Sequence, residues 1–339
     1  MSSARGRESC FDTELESVNL AAFSCYDFRR NEKENPVRRS CNRVHFAFVL
    51  VLAILPAMEQ NSITNAQQVI PTKPDIVYSQ RDQKPQLLDL YLPPRRTGPV
   101  PLVVWVHGGA WRAGSRARVP ITQLLEHGLA IASVDYRLSG VAPFPAQVHD
   151  INDAIGYLQS HANELGLDPA RFAIAGSSAG GHLAALVGVS QGVAALSAPT
   201  SQNVEATSES PKLKAIVSFF GASNLQTILQ QSTPHGLSVR IPALQLLLRS
   251  QPDENPKLAQ LASPVSHVDS NDPDLLLLHG DQDPQMPINQ SHELEGAYRK
   301  AGCPVQFNVV HGGAHGGEKF FTEAQMNRVA QFINASFAD

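Results

Sequence analysis

The feature that most constrains the fold is a regular alternation of short apolar runs and helical patterns after about residue 69. Runs such as 102–106 and 130–134 are apolar throughout, as expected for strands buried on both faces of a sheet. Helical patterns lie between these runs, at 121–127, 146–162, 178–189, 288–301 and 318–337, and the second of them places apolar residues at helical spacing. The alternation predicts an α/β fold with a mainly parallel central sheet flanked by helices. An antiparallel entry hairpin is predicted at 75–78 and 87–92, and further strands at 172–175, 215–219, 275–278 and 305–310.

The first part of the chain does not follow this alternation. Residues 1–68 are expected to form a leader, followed by one domain over 69–339. An apolar core at 46–55 follows Arg38, Arg39 and Arg43, which is typical of a secretory signal peptide. It is shorter than the roughly 20 apolar residues of a membrane-spanning helix. We therefore expect a secreted or periplasmic protein with no stable membrane span in its mature form; the alternative is that 46–55 is a buried element of the fold.

Composition narrows the class of partner. The formal net charge is −4, so the chain lacks the basic character of a nucleic-acid-binding protein. Cys303 is the one cysteine after residue 41, so no disulfide can form within the predicted domain. The sequence leaves the oligomeric state open.

The segment around Ser178 carries the clearest chemical signal. The predicted strand 172–175 leads into the pattern Gly-x-Ser-x-Gly from Gly176 to Gly180, and a helical pattern follows. A serine on a sharp turn between a strand and a helix is the nucleophile elbow, which lifts the hydroxyl above the edge of the sheet. The helix N-terminus favours negative charge at that place. The pattern predicts Ser178 as a nucleophile, and the alternative is an ordinary helix N-cap.

A glycine-rich loop follows the predicted strand 102–106. Attack on an acyl group produces a tetrahedral oxyanion that needs fixed N–H donors. A loop of this kind supplies such donors together with the residue after the nucleophile. We predict Gly109, Ala110 and Ala179 as the donors, whereas a plain glycine turn is the alternative for the loop.

A serine nucleophile needs a histidine as its base and a carboxylate to orient that histidine. Both are expected after the last two strands, in the chain order Ser, Asp, His. Asp281 and Asp283 follow strand 275–278, and His311 and His315 follow strand 305–310. Asp283 and His315 lie further into their loops, where they can reach back to Ser178, and are favoured over Asp281 and His311. A metal site at the two histidines is not expected, because glycines at 312, 313 and 316 disfavour the helix that the spacing would need.

These motifs together resemble the α/β-hydrolase superfamily. More narrowly, they resemble its esterase/lipase group, with hormone-sensitive-lipase-like and feruloyl- or acetylxylan-esterase-like members. The resemblance rests on residues 88–93, 107–111, 135–138, 176–181, 263–265, 279–283 and 313–316. It implies carboxylic-ester hydrolysis through an acyl-enzyme, with no cofactor and no metal. Ser178 would attack, His315 would transfer the proton and Asp283 would orient His315.

The expected substrate is a short-chain or carbohydrate-linked ester, with no nucleic-acid partner. An arylformamidase or peptidase on the same scaffold, or a non-catalytic binding protein with this fold, remains as an alternative. Residues 191–211 and 223–264 interrupt the alternation, and the second segment could form a small cap over the site. A surface excursion without a role in binding is the other interpretation of that segment.

Overall fold

The structure is a computed structural model that describes residues 69–81, 83–197 and 212–338. The leader predicted over 1–68, with its apolar core at 46–55, lies outside the described residues. So does 198–211, most of the first polar interruption.

In the described part of the chain, one sheet of eight strands forms the centre of the fold. Its strands are β1 (Lys73–Arg81), β2 (Lys84–Tyr91), β3 (Val100–Val106), β4 (Ala130–Val134), β5 (Leu167–Ser177), β6 (Leu213–Phe219), β7 (Asp274–Gly280) and β8 (Val305–Val310). Their order is β1-β2-β4-β3-β5-β6-β7-β8. The pairs β1–β2 and β2–β4 are antiparallel, and all the other pairs are parallel. This confirms the predicted mainly parallel α/β sheet with an antiparallel entry hairpin.

Helices cover both faces of the sheet because successive strand side chains point to opposite sides. In β3, Val104 belongs to the same core cluster as Ile151 and Leu183, whereas Val103 and Trp105 belong to a second cluster that includes residues of the C-terminal helix. The helices are α1 (Ala146–Ser160), α2 (Ala162–Leu165), α3 (Ala179–Val189), α4 (Ile228–Gln231), α5 (Pro234–Leu248), α6 (Pro256–Leu261), α7 (Asn289–Ala301) and α8 (Glu323–Ser336), with short 3₁₀ helices at Thr122–His127, Pro264–Ser266 and Glu318–Phe320. None of the described helices is long and apolar enough to cross a membrane.

Three helical predictions differ in detail from the structure. The predicted helix 121–127 is a 3₁₀ helix that ends at Gly128, whose φ of 77° is left-handed. The predicted helix 146–162 divides at His161 into α1 and α2. The pattern over 318–337 also divides, because the Thr322 side chain accepts a hydrogen bond from the Gln325 amide and starts α8 as a new helix.

The parallel strands bring four loops to one edge of the sheet. β3, β5, β7 and β8 point the same way, so the segments after Val106, Ser177, Gly280 and Val310 all leave the sheet at their carboxyl ends. The segment between β6 and β7 forms α4, α5 and α6. It is therefore a helical insertion, and α5 places Val239, Arg240 and Ala243 beside Ser178.

Candidate active site

Ser178 lies on a strained turn between β5 and α3. Its φ of 55° and ψ of −118° are rare for a residue with a side chain. The turn is tight: a Cβ added to Gly180 would lie 2.0 Å from the carbonyl oxygen of Val106. The Ser178 side chain makes no capping bond to the helix. Its position is therefore that of an elbow and differs from that of an ordinary N-cap serine.

A continuous hydrogen-bonded chain joins Ser178, His315 and Asp283. Ser178 Oγ lies 2.8 Å from His315 Nε2, and His315 Nδ1 lies 2.7 Å from Asp283 Oδ2. The ring of Phe220 packs edge-on against the imidazole, with centroids 4.9 Å apart. The structure thus brings together the three residues that the sequence singled out, although they come from three separate loops.

Asp283 is held as a buried carboxylate. Its Oδ1 accepts hydrogen bonds from the amides of Gln285 and Met286, both at 2.8 Å. Burial by itself would raise the pKa of Asp283, but hydrogen bonds from His279 and His315 and the Coulombic interaction with His315 outweigh it. They hold the pKa well below its usual range. The carboxylate therefore stays charged and can orient the His315 Nδ1–H group.

The two alternative residues form a separate pair at the surface. His311 Nδ1 lies 2.9 Å from Asp281 Oδ2, and the His311 side chain is 86% exposed. Asp281 also accepts a hydrogen bond from the Gly312 amide at 2.7 Å. Hydrogen bonds from His311 and Gly312 lower the pKa of Asp281. No described contact joins either residue to Ser178, so the structure separates the two candidate pairs.

The loop after β3 packs directly against the elbow. A Cβ on Gly108 would lie 2.7 Å from the Ser177 carbonyl oxygen. Gly109 has a φ of 121°, and Ala110 has a φ of 52° although it carries a Cβ. Among the described residues, the amides of Gly109 and Ala110 have no hydrogen-bond acceptor. Ala179 begins α3, where helix geometry also leaves an N–H group free.

His182 ties this loop to the helical insertion. Trp111 Nε1 donates a hydrogen bond to His182 Nδ1 at 3.1 Å, and His182 Nε2 donates to the Ala262 carbonyl at 2.7 Å. Burial lowers the pKa of His182 to about 4, only partly opposed by the bond to Ala262, so the ring is neutral near pH 7. These contacts join residues far apart along the chain, so no local sequence pattern predicts them.

Sequence reasoning missed Arg240. This buried arginine of α5 donates hydrogen bonds to the Gln285 carbonyl and to Ser232 Oγ. Burial lowers its pKa to about 10, against the opposing charge of Asp283. Arg240 thereby supports the backbone that holds Asp283. The sequence cue that could have identified Arg240 is a single arginine within a largely apolar helical segment.

Two cavities of very different size meet at Ser178. The larger, about 820 Å³, is lined by His315, Gly109, Ala110 and Phe220 among others. The smaller, about 10 Å³, is lined by Ala110, Ala179, Val239, Arg240, Ala243 and Met286 among others. Ser178, Ala110 and Gln285 line both cavities. Among the described residues, no group of three or more His, Cys, Asp or Glu side chains could hold a metal ion.

Comparison with known proteins places this chain in a family. The BD-FAE family matches residues 88–298, which is more than half of the chain. Esterase LipQ of Mycobacterium tuberculosis is 30% identical over 255 residues, which cover 73% of this chain and 58% of LipQ. The chain thus spans less than two-thirds of that relative.

Solved structures agree with the sequence comparison. A truncated carbohydrate esterase from gut microbiota is 30% identical with a TM-score of 0.70, covering 81% of this chain and 99% of its own. Esterase 2 of Thermogutta terrifontis, in a form phosphoramylated by tabun, is 25% identical with a TM-score of 0.64, covering 79% of this chain and 96% of its own. The chain belongs to the BD-FAE family of the α/β-hydrolase superfamily.

Proposed function

We propose that this protein is a serine carboxylic-ester hydrolase that works through an acyl-enzyme. The observation that carries the proposal is the chain of hydrogen bonds from Ser178 Oγ through His315 to Asp283, at 2.8 and 2.7 Å. Such a chain activates a hydroxyl that is otherwise a weak nucleophile. The esterase names of LipQ and of the solved relatives support the same reaction class.

In this mechanism Ser178 Oγ bonds to the ester carbonyl carbon while its proton passes to His315 Nε2. The amides of Gly109, Ala110 and Ala179 donate to the resulting oxyanion. As the bond to the leaving oxygen breaks, His315 gives its proton to the alcohol. Water then attacks the acyl-enzyme with His315 as the base, which releases the acid and restores Ser178. Asp283 holds His315 in the required tautomer throughout.

The two cavities suggest how the ester lies in the site. His315 must reach the leaving oxygen, so the alcohol belongs in the large cavity that His315 lines. The acyl group belongs in the small cavity, which Ser178 also lines. A cavity of about 10 Å³ is close to the smallest that holds one water molecule, so it suits an acyl chain no longer than acetyl. The proposed substrates are therefore short-chain esters, above all acetyl esters of larger, carbohydrate-linked alcohols.

The reaction is tested with p-nitrophenyl acetate and the Ser178→Ala variant. Wild type should hydrolyse the ester, and Ser178→Ala should lose on the order of 10⁶-fold in kcat. Paraoxon should add one organophosphoryl group to wild type and to the neighbouring control Ser177→Ala, but not to Ser178→Ala. Equal turnover by wild type and Ser178→Ala, or a label on another residue, would refute the proposal.

The substrate class needs its own comparison. The protein should hydrolyse acetylated xylo-oligosaccharides and p-nitrophenyl acetate much faster than p-nitrophenyl palmitate, which carries a long acyl chain. Activity confined to palmitate would contradict the assignment of the small cavity to the acyl group.

We also propose that the protein is exported. The support is the apolar run 46–55 after Arg38, Arg39 and Arg43. A cut after Ala66 would place Thr64 and Ala66 at the two small positions of a cleavage site. Expression in a bacterial host should therefore give a periplasmic or secreted product that begins after Ala66, as read by mass spectrometry of the N-terminal peptide. An uncleaved product that stays in the cytoplasm would refute this.

A further inference from the structure

The loop at residues 112–118 forms one wall of the large cavity and contains three arginines with different surroundings. Arg116 is anchored: it pairs with Asp75, with Asp89 at 3.0 Å and with Asp135 at 2.5 Å. The Arg118 carbonyl accepts a hydrogen bond from Trp105 Nε1 at 2.9 Å. The loop is thus fixed to β1, β2 and β3 and to the residue after β4.

The other two arginines of the loop line the cavity. Arg112 and Arg118 are exposed, and neither side chain has an ion pair or hydrogen bond among the described residues. The one acidic residue among the described residues that line this cavity is Glu318. The formal charge of the cavity wall is therefore positive, with two guanidinium groups against one carboxylate.

Unpaired cations in a concave site attract anions, and the arginine fork matches a carboxylate in geometry. The aromatic residues Phe220 and Phe321 line the same cavity, and its volume of about 820 Å³ suits a ligand of sugar size or larger. A neutral alcohol would leave both guanidinium groups unused.

We infer that the alcohol half of the substrate carries a carboxylate, as in an acetylated saccharide that contains a uronic acid, and that Arg112 and Arg118 bind it. This inference rests on the proposed esterase activity and on the assignment of the large cavity to the alcohol. Arg116 holds the loop so that the two free guanidinium groups stay at the cavity wall.

The test compares two aryl acetates of nearly equal shape, para-acetoxybenzoate and para-acetoxybenzamide. Wild type should prefer the benzoate by about 10-fold in kcat/KM, since one charge-assisted contact contributes roughly 1.5 kcal/mol. High salt should reduce that ratio. In the double variant Arg112→Gln/Arg118→Gln the ratio should fall to near one, and in Glu318→Gln it should rise. Arg328→Gln, an exposed arginine of α8 outside the cavity lining, is the matched control and should keep the wild-type ratio.

The ratio is internal to each variant, so a loss of folded protein does not change it. Equal use of the two acetates by wild type, or an unchanged ratio in the double variant, would overturn the inference while leaving the esterase proposal intact. If neither acetate were hydrolysed, the proposed function itself would fail, and the inference with it. A second experiment compares the rates of acetate release from acetylated galacturonan and from acetylated xylan that lacks uronic acids. The rate on galacturonan is expected to be higher.

Discussion

Replacing Val239 by alanine should lengthen the acyl chain that the protein accepts. Val239 of α5 forms part of the wall of the small cavity beside Ser178, together with Ala243 and Met286. The cavity measures about 10 Å³, close to the smallest that holds one water molecule. An acetyl methyl group fills it, and a propionyl chain exceeds it.

The size of the effect follows from the cost of one methylene. A pocket discriminates one methylene by about 1–3 kcal/mol, roughly 10- to 200-fold in kcat/KM. Wild type should therefore prefer acetate to propionate by at least about 10-fold. Val239→Ala removes two methyl groups from the wall, so the propionate-to-acetate ratio should rise by about 10-fold.

The assay measures kcat/KM for the p-nitrophenyl esters of acetate, propionate and butyrate. Ile241→Ala is the matched control, because Ile241 lies on the same helix, is 45% exposed and does not line the cavity. Thermal unfolding of both variants checks that the fold is retained. If Val239→Ala and wild type had the same chain-length profile, the small cavity would not hold the acyl group.

Three further outcomes are expected. Asp283→Asn should lower kcat by about 10⁴-fold, because the amide favours the wrong His315 tautomer, whereas Asp281→Asn should change kcat little. Similar losses of kcat in the two variants would contradict the role of Asp283 in orienting His315. Gly180→Ala should abolish folding or activity, measured by circular dichroism and ester turnover, because its Cβ would lie 2.0 Å from the Val106 carbonyl oxygen. Burial, together with the charge of Asp269, raises the pKa of Asp272 to about 7. The contribution of Asp272 to the unfolding free energy is therefore fully present below about pH 4, where the unfolded carboxyl is also protonated, and is lost as the pH rises through 7. Asp272→Asn should therefore raise the unfolding free energy by up to about 1 kcal/mol at pH 8 in urea titrations and change it little at pH 4; a larger gain at pH 4 would refute this.

The positions of the predicted site residues could be derived from the sequence because each follows a recognisable buried strand. Parallel strands deliver their following loops to one edge, so Ser178, Asp283 and His315 could be placed together without coordinates. The choice of Asp283 and His315 over Asp281 and His311 depended on loop position, and the structure now places the latter two in a surface pair of their own.

What the sequence could not supply are contacts made across the fold by side chains with no local pattern. Arg240 approaches the backbone beside Asp283 only because α5 lies over that loop, and helical periodicity does not specify how an inserted helix is oriented. His182 meets Trp111 and Ala262 from segments far apart in sequence. The break in 318–337 has a local cause, the cap at Thr322, which the longer apolar periodicity obscured.

The anchoring of Arg116 has a thermodynamic consequence for binding. Its contacts to Asp75, Asp89 and Asp135 fix the wall of the large cavity before any ligand arrives. A wall that is already ordered loses little conformational entropy when the ligand binds, so more of the contact energy remains as affinity. Removing one of these ion pairs, for example with Asp135→Ala, should therefore weaken ligand binding through a less favourable entropy change, while the binding enthalpy stays similar. Calorimetry with a slow-reacting substrate analogue can measure this difference.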